Sequence, residues 1–105
     1  MTRQRLPNRR PSVTAQLVFE NNTYSTTLGI DLRTNRVAEV FTHGAKFGSA
    51  MDRILDDTCI ALSLLLQYGV EPSALASSMG RLSDGKSPAS VIGAIADLIV
   101  KEAQV

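Results

Sequence analysis

EVFTHGAKFGSAMDRILDDTCIALSLLLQYGV, residues 39–70, is the stretch whose reading decides the fold. It opens as a strand that feeds a short loop, punctuated by Gly44 and Gly48 and carrying His43, the single histidine. The loop delivers a long apolar helix. Ser49 is a good N-cap, and Asp52 three residues later completes a capping box while placing negative charge at the positive helix end. Met51, Ile54, Leu55, Cys59, Leu62, Leu65 and Leu66 then follow one helical stripe. Ile60, Ala61 and Leu64 widen it, so the second half of the helix is expected to be buried nearly all round. Gly69 suits the left-handed residue past the helix end, with Val70 folding back on the last turn.

Upstream, Pro7 and Pro11 keep residues 1–11 irregular. Period-two alternation follows, with Val13, Ala15, Leu17 and Phe19 on one face and Thr14 and Gln16 on the other. Asn21-Asn22 tolerates positive φ and predicts a tight hairpin. The return strand, residues 23–32, puts Tyr24, Thr26, Leu28, Ile30 and Leu32 on a common face. A turn at Arg33-Thr34-Asn35 leads to a third strand over residues 37–42. Downstream, Pro72 starts a short helix that Gly80 ends. RLSDGKS is a polar loop, and Ser87 and Pro88 begin a last helix with Val91, Ile92, Ile95, Leu98 and Ile99 inward.

The sum is an α+β two-layer sandwich, a three-stranded antiparallel meander packed on three helices (β-β-β-α-α-α). Residues 1–11 read as a flexible basic arm and residues 12–105 as a single domain. Three strands leave exposed edges, and so long an apolar helix is hard to hide in a small body. A homodimer, or docking on a larger protein, solves both problems.

A hydrophobic content of 44% with 20% charged residues belongs to a globular chain. Its one cysteine, Cys59, excludes an intrachain disulfide framework and a Cys-rich metal site, and fits a cytoplasmic location. MTRQRLPNRRP lacks the apolar segment of a secretory signal. No apolar run approaches the ~18 residues of a membrane span. The net charge of +1 hides an asymmetry. Arg3, Arg5, Arg9 and Arg10 lie in the arm; without them seven Lys/Arg face ten Asp/Glu, a body of net charge −3. Such an arm touches phosphates of nucleic acid, serves as a solubilising terminus, or rests on the acidic body of a neighbouring subunit.

The run GAKFGSAMDRILDDTCIALSLLLQYGVEPSALASSMGRL, together with Glu39-Val40-Phe41 before it and SPASVIGAIADLIV after it, resembles the TSCPD domain. That module occurs near the C-terminus of cobalamin-dependent (class II) ribonucleotide reductases and as small stand-alone proteins. The resemblance covers roughly residues 12–102. Many members of the family bear cysteines thought to bind metal, whereas this chain has only Cys59, so neither a metal site nor a cofactor carries over. Ribonucleotide reduction needs a radical-bearing cysteine and a reducing pair, which one cysteine cannot supply. No catalytic residue carries over, and the resemblance implies ancestry rather than activity.

Of the candidate sites, His43 with Gly44, Lys46, Gly48 and Ser49 is the best cluster. A glycine-containing turn at a helix N-terminus exposes backbone N–H groups, and Lys46 adds charge, so a phosphate or nucleotide is one reading. A plain strand-to-helix connection is the other, and the Walker spacing is absent. Asp52, Asp56 and Asp57 have no histidine or further carboxylate to make them a metal or acid–base site; they read as a solvated face. Cys59, mid-helix among apolar residues, reads as core rather than nucleophile. YGVEPSALASSMGRL imitates a helix-turn-helix, but its second helix offers serines where base reading needs Arg, Asn or Gln. The expected function is a non-catalytic accessory module, acting as a homodimer or docked on a larger enzyme of nucleotide metabolism. A nucleotide- or phosphate-binding regulator is the alternative, and nucleic-acid binding through the arm is the weakest.

Overall fold

The computed structural model describes residues 2–103. Strands β1 (Ser12–Phe19), β2 (Asn22–Asp31) and β3 (Arg36–His43) form an antiparallel sheet in the order β1-β2-β3. Helices α1 (Ala50–Gln67), α2 (Pro72–Ser78) and α3 (Val91–Ala103) follow, giving the expected α+β order.

The first hairpin turns one residue earlier than expected. Phe19 pairs with Asn22, leaving Glu20-Asn21 as a two-residue loop with φ of 50° and 65°. Both values suit a type I′ turn, whose twist matches the strands. Moving the turn by one residue moves each partner by two, so the inside–outside alternation survives. Leu17 faces Tyr24, and Ala15 faces Thr26.

Leu32 departs from the expected inner face and is 70% exposed. The strand stops at Asp31 because its carboxylate accepts the Arg33 backbone N–H at 2.9 Å, a turn-forming bond that replaces the ladder. Arg33 also chelates that carboxylate at 3.0 Å and holds the buried Asp31 below the usual carboxylate range. In β3, Gly29 pairs with Glu39 and Ile30 with Val37, so Ala38 bulges without a residue opposite.

Helix α1 forms where its caps require. The Ser49 hydroxyl accepts the Asp52 N–H at 3.2 Å, and the Asp52 carboxylate accepts the Gly48 N–H at 2.9 Å. At the other end Gly69 (φ 96°) donates to the Leu66 carbonyl and Val70 to that of Leu65, each at 3.0 Å. These are the paired bonds of a Schellman stop. Leu55, Leu62 and Leu66 are buried in the same core as Tyr24, Leu28 and Val40 of the sheet. Each contributes about 1.5–3 kcal/mol of apolar transfer. The helix is not buried all round: Ile60 is 56% and Leu65 41% exposed. Among the described residues β3 and the core lie against it, and residues 3 and 4 of the arm reach its last turn at Gln67.

The β3 edge is not open, contrary to the expectation from three strands. Ser63 accepts the Val40 N–H at 3.0 Å and donates to the Val40 carbonyl at 3.3 Å. Gln67 donates to the Ala38 carbonyl at 3.0 Å. One turn before Ser63, Cys59 lies beside Thr42. Four helical residues rise ~6 Å and two strand residues ~6.8 Å. Cys59, Ser63 and Gln67 therefore keep step with Thr42, Val40 and Ala38 as the helix runs antiparallel to the strand. This ladder blocks edge pairing at β3, and among the described residues β1 is the other edge of the sheet.

The last helix begins later than expected. Ser90 caps it, its hydroxyl accepting the Gly93 N–H at 3.1 Å, while Pro88 sits in a bridge opposite Arg81. Proline is favoured at helix starts, but here the Asp84 carboxylate takes the backbone N–H groups of Lys86 and Ser87 at 2.8 Å and closes a loop around them. Arg81 clamps this corner. Its guanidinium pairs with Asp97 of α3 at 2.6 and 2.7 Å and donates to the Ala76 carbonyl of α2 at 2.8 Å.

Candidate functional site

A groove of ≈ 560 Å³ opens between the first turns of α1 and the start of α3. Phe19 and Tyr24 of the sheet, Met51 and Ile54 of α1, and Val91 and Ile92 of α3 are its apolar lining, and Lys46, Ser49 and Ser90 are among its polar residues. The β3–α1 loop reaches it by passing flush against β2. A Cβ on Gly44 (φ 146°) would stand 2.7 Å from the Thr23 carbonyl oxygen and 2.9 Å from the Tyr24 Cα. Only glycine fits that crossing. The loop then tightens, with the Ser49 N–H donating to the Lys46 carbonyl at 3.0 Å. Phe47 at its tip is 95% exposed.

The five residues expected to form one cluster are divided. Gly44, Lys46 and Ser49 line the groove. His43 lies in a separate cleft with Phe41, Asp56 and Ile60, on the other flank of α1. Gly48 lines neither, and its N–H is taken by Asp52. The chain thus supplies its own anion to the start of α1, which lowers the demand for an external one. Asp52 is accounted for by this cap; Asp56 and Asp57 are exposed.

Of the arm, Arg3 donates to the Gln67 side chain at 2.6 Å, and Gln4 N–H to the Gln67 carbonyl at 2.8 Å. Arg10 pairs with Glu39 at 2.6 and 2.8 Å across the space that Gly29 leaves on the outer sheet face. The Arg5 carbonyl accepts from Arg33. Arg5 and Arg9 are exposed. Cys59 is 2% exposed, and burial pushes its thiol pKa up, with Thr42 opposing. It faces the β3 edge, buried.

Among the described residues no group of three or more His, Cys, Asp or Glu is placed to hold a metal ion. No helix among them is long and apolar enough to cross a membrane. Sequence reasoning missed the groove because it assigned Met51 and Ile54 to the core stripe. The available signal was Ser90, a capping residue two positions past Pro88, which moves the start of α3 to the groove.

Compared with models of protein families, the chain matches the TSCPD domain over residues 2–103. The chain belongs to the TSCPD domain family. This match takes in the basic arm as well as the sandwich. The TSCPD domain is a non-catalytic module associated with the C-terminal region of ribonucleotide reductases. No curated protein and no solved structure matches the chain.

Proposed function

We propose that this TSCPD protein is a non-catalytic accessory module that works by protein–protein contact, as a homodimer or docked on a larger enzyme of nucleotide metabolism. The observation that carries the reading is the apolar groove between α1 and α3 with Phe47 standing 95% exposed on the loop beside it. An aromatic ring held in water beside an apolar groove supports docking of a protein partner there. The lone cysteine is buried and has a raised pKa, so the chain's own thiol chemistry does not compete with this reading. The test is titration of the purified chain into the catalytic chain of a ribonucleotide reductase, followed by sedimentation. Binding that Phe47→Ser or Ile92→Lys weakens tenfold or more supports docking there; self-association or inertness rejects docking on that enzyme.

One observation favours a second reading, a nucleotide- or phosphate-binding regulator. Ser90 caps α3 and lines the same groove as Lys46, so a positive helix end and an ammonium share one rim, while Asp52 already meets the start of α1. A thermal shift with a nucleotide, reduced by Lys46→Ala, supports it; no shift across a nucleotide panel rejects it.

A further inference from the structure

Helix α1 turns one flank to the β3 edge, and its opposite flank carries a second pattern. Met51, Ile54, Thr58, Ala61, Leu65 and Tyr68 follow at spacings of 3-4-3-4-3, the a/d rhythm of a helix–helix seam. A residue facing only solvent has no reason to keep that rhythm. Yet Met51 is 44%, Ile54 50%, Leu65 41% and Tyr68 41% exposed. Ala61 is exposed and Thr58 half-buried.

The spacing reads the same in both directions. Against an antiparallel second copy, Met51 meets Tyr68, Ile54 meets Leu65, and Thr58 meets Ala61, each contact occurring twice about a twofold axis. The small residues fall at the centre, where they let the backbones approach, and the large ones fall outside. Charge does not oppose this direction: Asp52 already meets the positive end of α1, and Glu71 beyond its last turn is paired with Arg36 at 3.0 Å. Asp57, on the seam's outer border, meets Leu64 of the second copy rather than another Asp57.

We propose that α1 is the subunit interface of a homodimer, two copies packing antiparallel along this seam. The proposal rests on the interaction-module reading above and names its partner as a second copy of the chain. The experiment is sedimentation of the whole chain, with circular dichroism to verify folding. The unchanged protein is expected at about twice 11.3 kDa. Ile54→Lys and Leu65→Glu should each weaken the dimer a hundredfold or more by burying an unpaired charge. The double variant in one chain should restore it, because Lys meets Glu across the axis at both places. Within a chain those positions are ~16 Å apart along the helix and cannot rescue each other. Should a charged variant fail to fold, Leu65→Ala keeps the fold and should weaken the dimer about tenfold.

Restoration in the double variant establishes the antiparallel register. Loss in the single variants without restoration overturns it. A dimer indifferent to all three overturns the seam and leaves the interaction-module reading standing through another surface. A monomer at every concentration overturns the dimer while leaving docking on a larger enzyme intact.

Discussion

Replacing Ser63 by alanine tests whether α1 seals the edge of the sheet. The Ser63 side chain is 9% exposed and serves one residue twice, accepting the Val40 N–H at 3.0 Å and donating to its carbonyl at 3.3 Å. Val40 is 0% exposed, with the core on one side and the helix along its edge. Alanine leaves both peptide groups in place and removes the partner of each. An unmet buried donor or acceptor costs ~1–3 kcal/mol, and the longer carbonyl bond contributes the smaller share. Losing the hydroxyl also removes its own desolvation, which offsets ~1 kcal/mol. The net is a destabilisation of about 2–3 kcal/mol, a large part of the ~5–15 kcal/mol typical of a domain. Urea unfolding followed by circular dichroism measures it, with Tm expected to fall ~4–8 °C per kcal/mol. Hydrogen exchange locates it, since the Val40 amide should lose its protection first. Ser77→Ala, whose exposed hydroxyl reaches only the Ala74 carbonyl at 3.2 Å, should stay within ~0.5 kcal/mol. A Ser63→Ala loss below ~0.5 kcal/mol, with Val40 still slowly exchanging, would refute the edge-sealing argument.

Gly44→Ala should destabilise by ~2 kcal/mol or more, because its Cβ would stand 2.7 Å from backbone and its φ of 146° suits only glycine; the urea midpoint measures this, and an unchanged midpoint contradicts it. Acid should weaken the fold partly through Asp84, whose pKa is held at about 2 against an ordinary 3.8 by Ser87 and the backbone N–H groups of Lys86 and Ser87. A depressed carboxylate stabilises fully above its unfolded value, and that contribution drains as pH falls from 3.8 towards 2. Asp84→Asn should flatten this limb of the stability–pH curve, and a limb of unchanged slope would count against the assignment. The Cys59 thiol should resist a thiol reagent in the native state and react only at the unfolding rate; immediate stoichiometric labelling would show it is open. Arg81→Ala should lower the urea midpoint by leaving Asp97 and the Ala76 carbonyl without their shared donor, and the Asp97→Asn background should reduce that loss in a double-mutant cycle.

Local chemistry by itself determined the order of elements, the Ser49 cap, the Gly69 stop and the resemblance to the TSCPD domain. The caps depend on residues within a turn or two of one another, the resemblance on the order and spacing of motifs along the chain, and both kinds of signal survive in a linear string. The tertiary structure decided the rest. Ser63 and Gln67 are polar positions within an apolar run, and only the tertiary structure brings β3 alongside with the peptide groups they meet. Met51, Ile54 and Leu65 share the periodicity of the core stripe, and only the placement of the neighbouring elements separates residues facing the sheet from those facing away. His43 and Lys46 are three positions apart in the chain yet lie on opposite flanks of α1, because Gly44 carries the chain across β2 between them. Periodicity shows which residues share a side of a helix; what stands on that side is a fact about the other elements, and it is there that the groove and the seam arise.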